Sequence, residues 1–226
     1  RYDSLLHRIK KYISNKTFGK ICYVNIQHRS YLPFHHQYED YRIGYAARRD
    51  LGGGVLLSFI HEIDYANFLF GKPLELFGTT GKISNLKIDV EDSANFTVIY
   101  KLFRNKIPVN FNLDFIKRKP LRFCEIQFEK ANLCWDLLNN KIHFRNKKKT
   151  TIKSRFKSRN SLFIEELKQV IKSFNMKKQP LSNFDNGEKS LRIVVRLKNN
   201  IKKKKWIKYN KINLSIKFLF SIAVEI

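Results

Sequence analysis

Apolar positions change their period twice along the chain, and each change marks a border between kinds of structure. In residues 4–15 (SLLHRIKKYISN) Leu5, Ile9 and Ile13 recur one helical turn apart behind Ser4, a helix-capping residue type, so the spacing predicts an amphipathic helix. A strand is expected over 20–28. Residues 29–50 then form a long connection rich in Tyr, His and Arg rather than Gly or Ser, and such loops carry function more often than not. Over 54–70 the period is helical again. At ~100° per residue, Leu56, Phe59, Ile60, Ile63, Ala66 and Phe70 gather on one face, with Ser58, His61, Glu62 and Tyr65 opposite. Gly71, Lys72 and Pro73 supply the stop.

Beyond Leu74 the period falls to two, most clearly where Val109, Phe111, Leu113 and Phe115 alternate with Asn110, Asn112 and Asp114. Strands are expected near 75–82, 94–103, 107–116, 121–129, 132–137 and 141–145. The connectors 103–107 and 138–141 are short enough for hairpins, so the sheet is expected to be largely antiparallel. Around 96–103 apolar residues fall on both faces. Residues 146–160 read as a charged connection, 161–175 as a helix through Leu162, Leu167, Val170, Ile171 and Phe174, and a last helix is expected from Asn186 or Gly187 towards Asn199. Helix, then a run of strands, then helices predicts an α+β fold: an open, largely antiparallel sheet with helices packed on one face.

Composition narrows the class. With 226 residues, 43% hydrophobic and 14% aromatic, the chain buries a sizeable core, which excludes disorder. Cys22, Cys124 and Cys134 lack paired metal-ligand spacing and are too few for a disulfide framework, so no metal set is read and a reducing cytoplasm is expected. The tail 210–226 is apolar but broken by Lys217 and too short to span a bilayer. The net charge of +26 raises nucleic acid as a partner, through Lys147 to Lys149 with Arg155 or Lys202 to Lys205 with Trp206. The excess is mainly Lys beside abundant Asn, Ile and Phe, the pattern of A/T-rich codons, and the nucleic-acid reading ranks below a compositional one.

Chemistry concentrates in residues 31–71. Gly52, Gly53 and Gly54 open the predicted helix, where unpaired backbone N–H groups accept an anion; the triplet lacks the spacing of a dinucleotide fingerprint and is read first as a tight, closely packed turn. His61 shares a polar face with Ser58, Glu62 and Tyr65, and imidazole relays a proton near neutral pH.

The run GYAARRDLGGGVLLSFIHEIDYANFLFG resembles the Gfo/Idh/MocA oxidoreductases, which include glucose-fructose oxidoreductase and inositol dehydrogenase relatives. Support continues through KISNLKIDVEDSANF, NLDFIKRKPLR and WDL, covering roughly residues 1–209. The resemblance implies a carboxy-terminal, substrate-binding and dimerising α+β domain over 16–209. Residues 1–15 would be a remnant helix at the junction with an absent amino-terminal Rossmann domain, and 210–226 would be an unassigned apolar tail. It implies NAD or NADP in the full-length protein, with no cofactor expected on this piece alone. It assigns His61 as the proton relay and puts Ser58 where relatives carry Asp, so an orienting carboxylate is expected to be missing. Tyr38, Tyr41, Arg42 and Arg49 fall in the implied substrate segment with Glu39 and Asp40, and Arg48 and Arg49 suit an anionic group.

The expectation is therefore the substrate side of an NAD(P)-dependent oxidoreductase for a sugar, cyclitol or nucleotide sugar, inactive as a fragment. Expected partners are the Rossmann domain, a small sugar-like substrate and a second copy through the sheet, with no membrane. The alternatives are a non-catalytic dimerising sheet domain and, below it, a basic nucleic-acid-binding protein.

Overall fold

The period-two segments pair into one open sheet in the computed structural model, which describes residues 1–145, 149–154, 159–200 and 207–208. Its strands are β1 (Ile21–Arg29), β2 (Lys72–Gly81), β3 (Ser93–Leu102), β4 (Asn105–Asp114), β5 (Leu121–Phe128), β6 (Asn132–Asp136), β7 (Lys141–Arg145), β8 (Lys149–Lys153) and the two-residue β9 (Ile207–Lys208). They lie in the order β8-β7-β6-β5-β1-β4-β3-β2-β9, every neighbouring pair antiparallel except β1 with β4. The antiparallel runs β2 to β4 and β5 to β8 flank β1, which is first in sequence and central in space. β8 occupies part of the stretch read as a connection, because a five-residue segment with one strongly apolar residue, Ile152, shows no usable alternation.

Alternation sorts the strands into two faces. Val24 and Ile26, Val109, Phe111 and Leu113, Cys124 and Ile126, and Leu133 and Trp135 are buried on one side in a single core. Burying each large apolar side chain stabilises the fold by roughly 1.5–3 kcal/mol, which fixes the register, since a one-residue slip would expose the whole set. The other face is polar. Thr97 donates to Asn110, Asn110 to Asn25, Asn25 to Glu125, and Asn132 donates to the second oxygen of Glu125, one row across five strands. The expectation of apolar residues on both faces near 96–103 holds in part: Phe96, Val98 and Tyr100 turn inward, Asn95 and Lys101 are exposed, and half-buried Ile99 is the apolar residue on the outer face.

Helices α1 (Ser4–Ser14), α3 (Ile60–Phe70) and α5 (Phe184–Asn200) cover the apolar face, with the single-turn α2 (Val55–Ser58) leading into α3. In α1 the cap is Asp3, one residue before the expected Ser4; its carboxylate accepts from Leu5 N–H at 2.6 Å. Leu5, Leu6, Ile9 and Ile13 enter the same core as the sheet, and Lys10 Nζ donates to the carbonyls of Phe68 and Leu69 at the end of α3. A polar chain ties the layers together: Tyr100 on β3 donates to Asn67, Asn67 to Ser190 on α5, Ser190 to Asp64, and Arg1 grips Asp64 with two nitrogens. The remaining helix, α4 (Arg159–Asn175), differs, leaving Ile164, Leu167, Ile171 and Phe174 exposed in one stripe. No helix among the described residues is long and apolar enough to cross a membrane.

Gly78 marks the closest packing in the sheet. A Cβ there would lie 2.3 Å from the Phe96 Cβ and 2.5 Å from the Asn95 carbonyl oxygen, whereas one at Gly81 meets nothing within 4 Å. Gly78→Ala is expected to destabilise the chain by roughly 1–3 kcal/mol through overpacking, and Gly81→Ala by less than about 0.5 kcal/mol; urea unfolding of the two variants measures the contrast.

Candidate active site at the end of the central strand

The predicted helix over 54–70 is two helices. Phe59, at φ −107° and ψ 24°, leaves helical geometry between α2 and α3, so the angular phase of 55–58 does not carry into 60–70. This corrects the assignment of Glu62 and Tyr65 to a polar face. Both are buried on the core side with Ile63, Ala66, Leu69 and Phe70.

The glycine turn before α2 is filled by the protein itself. Gly53 N–H donates to the Arg48 carbonyl and Gly54 N–H to that of Ala46, and a Cβ on Gly53 would strike the carbonyls of Tyr45, Arg48 and Ala46. Gly54, at φ 105°, makes room for Glu91, whose carboxylate accepts from Leu56 N–H at 3.3 Å and pairs with Lys198 at 3.3 Å. The anion at this helix start is thus Glu91. A dinucleotide phosphate does not fit here.

Glu62 organises what lies beyond. Its side chain is 0% exposed, and Oε1 receives Arg122 Nε at 2.8 Å and stands 3.0 Å from both His28 Nδ1 and His61 Nε2. The groups converge because β1 and β5 pair His28 with Arg122, side by side on the core face. Both stand in phase with apolar neighbours: His28 is two residues after Ile26, Arg122 two before Cys124. Glu62 then reaches down from the first turn of α3. His28 stacks on Phe59, ring centroids 3.7 Å apart and planes 12° from parallel. His35 extends the aromatic group, edge-on to Phe115, with Nε2 2.7 Å from the Ser30 hydroxyl.

Burial alone would raise the Glu62 pKa; the Arg122 charge and the hydrogen bonds from His28 and His61 outweigh it and hold the carboxyl well below its ordinary 4.5. Burial also lowers the His28 pKa below 6.5, against the upward pull of Glu62, and lowers that of His35. Burial and the Glu62 charge push the Tyr65 hydroxyl well above 10. Among the described residues neither that hydroxyl nor Glu62 Oε2 finds a hydrogen bond of acceptable geometry, and the buried Ser58 hydroxyl has none either.

The residues expected to meet substrate divide between two places. His61, 46% exposed, lies in the cluster. Ser58 makes no bond to it. Tyr38 is fully in solvent with its hydroxyl 3.0 Å from His36 Nδ1, next in sequence to His35. Tyr41, Arg42 and Arg49 collect instead around the loop 82–89. The Tyr41 hydroxyl accepts from Lys87 N–H, and Arg49 donates to the Asp89 carbonyl and receives its carboxylate on the main-chain N–H. Arg42 pairs with Asp40 and Arg48 with Asp50, both in solvent. Arg42, Arg48, Lys82 and Lys87 line an open groove of ≈ 540 Å³ there. The basic stretches 147–148, 155 and 202–206, and the tail 210–226, lie outside the described residues.

A carboxyl held low in the folded state stabilises the fold above its unfolded pKa, and that stabilisation is lost as pH falls through the folded value. Wild type should therefore lose stability steeply below about pH 4.5, and Glu62→Gln should flatten that acid limb while lowering stability at pH 7. Arg122→Ala, which strands the buried carboxylate, is expected to cost roughly 3 kcal/mol at pH 7, at the low end for a buried pair because the guanidinium is partly exposed. Urea unfolding across pH reads both.

More than a hundred known chains share this fold. An aldose-aldose oxidoreductase from Caulobacter crescentus, solved with glycerol, superposes with a TM-score of 0.77 at 16% identity over 92% of this chain and 61% of its own. The WlbA dehydrogenase from Bordetella pertussis, solved with NADH and UDP-GlcNAcA, gives 0.71 at 15% identity over 94% and 62%. An inositol dehydrogenase homolog complexed with NAD+ from Azotobacter vinelandii gives 0.69 at 12% over 91% and 62%. The chain thus spans less than two thirds of each of these structures. No curated protein sequence matches it. The family model for the GFO/IDH/MocA C-terminal domain matches residues 6–133, more than half of the chain and including β1, the glycine turn, α3 and β5. The chain belongs to the Gfo/Idh/MocA family, as its carboxy-terminal domain.

Proposed function

We propose that this domain is the substrate side of an NAD(P)-dependent oxidoreductase acting on a sugar, cyclitol or nucleotide-sugar-like alcohol or ketone, and that it turns nothing over by itself. The observation that carries the reading is a half-exposed His61 whose Nε2 lies 3.0 Å from a buried, charge-compensated carboxylate. Oxidising a secondary alcohol takes a hydride from carbon and a proton from oxygen. In this reading a separate nucleotide domain holds the hydride carrier, and this chain handles the proton.

A hydrogen bond to ionised Glu62 places the ring proton of His61 on Nε2 and leaves Nδ1 as the base. Nδ1 takes the hydroxyl proton, and Glu62 stabilises the imidazolium that forms. The orienting carboxylate that Ser58 cannot provide comes from Glu62, with Arg122 keeping it ionised. Tyr38, beside the His35 and His36 pair, is assigned to a neutral part of the substrate. Arg42, in the groove with Lys82 and Lys87, and Tyr41 and Arg49, which bond to Lys87 and Asp89 of its lining, are assigned to an anionic part such as a nucleotide-sugar phosphate.

Further support for a second domain is the exposed stripe of α4, an apolar surface of the kind that a neighbouring domain covers. The polar open face of the sheet is where we place a second copy, and three unpaired cysteines fit a cytoplasmic setting. With the chain expressed in frame behind a dinucleotide-binding domain, His61→Ala is expected to cut turnover by roughly 10²–10⁴ while thermal melts show the variant still folded. Turnover equal to wild type would remove His61 from the chemistry.

A further inference from the structure

We infer that His28, His61 and Glu62 form a binding site for a single divalent transition-metal ion of the zinc class. Three donor atoms meet: His28 Nδ1 and His61 Nε2 each stand 3.0 Å from Glu62 Oε1 and 3.3 Å from each other. Zinc bonds of about 2.0–2.1 Å at tetrahedral angles set ligand atoms roughly 3.3 Å apart, so this triangle has nearly the size of one face of a zinc tetrahedron. Two imidazoles and one carboxylate are ligands that zinc accepts.

The hydrogen bonding points the same way. Oε1 carries three donors while Oε2, equally buried, has only the Tyr65 hydroxyl beside the carboxylate, short of good hydrogen-bond geometry. An ion at the triangle replaces two of those contacts with coordinate bonds, leaving Arg122 as the outer partner that holds the carboxylate. The ligands are also held before any ion arrives: His28 by its stack on Phe59, Glu62 by Arg122. Side-chain exposures of 0% for Glu62, 15% for His28 and 46% for His61 describe a site closed from below and open on one side. The fourth position is left for water. An ion on His61 Nε2 leaves the remaining ring proton on Nδ1, so ion binding and the proton transfer assigned to His61 above exclude each other, and a bound ion should inhibit that chemistry.

Ion binding needs no second domain, cofactor or substrate, and the full 226-residue chain tests it. Titrated with Co²⁺, wild type should take up one ion per chain with the visible absorption of a low-coordinate site, and Zn²⁺ should displace it. His61→Ala and His28→Ala should each weaken binding by more than the roughly 10–100-fold that loss of an outer partner costs. His143→Ala, on β7 at the far side of the sheet, should bind as wild type does. Circular dichroism melts establish that each variant folds, and if His28→Ala does not, the half-exposed His61→Ala decides the matter alone. Absence of the cobalt absorption in wild type, or its persistence in folded His61→Ala, overturns the inference.

Discussion

A carboxylate with no access to water is held ionised at the end of the central strand, and the local architecture answers to it. Taking an ionised carboxyl out of water costs several kcal/mol unless partners compensate it closely. Glu62 draws its partners from three elements: His61 beside it on α3, His28 from β1 and Arg122 from β5. Those strands neighbour each other in register, so the requirement fixes where α3 lands on the sheet as well as which way its first turn faces.

The same logic recurs one turn earlier. The start of α2 offers backbone N–H groups, and the domain satisfies them with Glu91, admitted by the side-chain-free Gly54 and balanced by Lys198. Farther along α3, Asp64 is balanced by Arg1 and joined to Tyr100 through Ser190 and Asn67. Three acidic groups on or near one short segment thus each find a cation from another part of the chain. In a protein of net charge +26 such partners are plentiful, and placement rather than supply decides which acid is tuned.

For function, the consequence is a division of labour within a familiar family frame. The histidine expected from the resemblance is present and half-exposed, while the carboxylate beside it comes from Glu62 rather than from position 58. Burial and the Arg122 charge give that carboxylate properties a solvent-facing Asp would not have. The basic groove around Arg42 and Lys87 stands apart, joined to the cluster by no hydrogen bond or ion pair among the described residues. The places we propose for proton handling and for anion recognition are therefore separate on this domain.

By itself the sequence determined the α+β class, most strand positions, the apolar face of the sheet and the glycine turn, because period and local residue type are properties of neighbours along the chain. It also held a signal for the rest: His28 and Arg122 are polar residues in phase with buried ones, which marks polar groups that need partners inside. Only the tertiary structure decided who those partners are. His28 and Glu62 are 34 positions apart, Glu62 and Arg122 are 60 apart, and strand order brings them to one point. Within α3 Glu62 stands four residues before Ala66 and seven before Leu69, so it lies at the edge of a buried face wider than the apolar stripe alone indicates. Helical periodicity gives the direction of a side chain, and the packing around the helix decides how wide the buried face is.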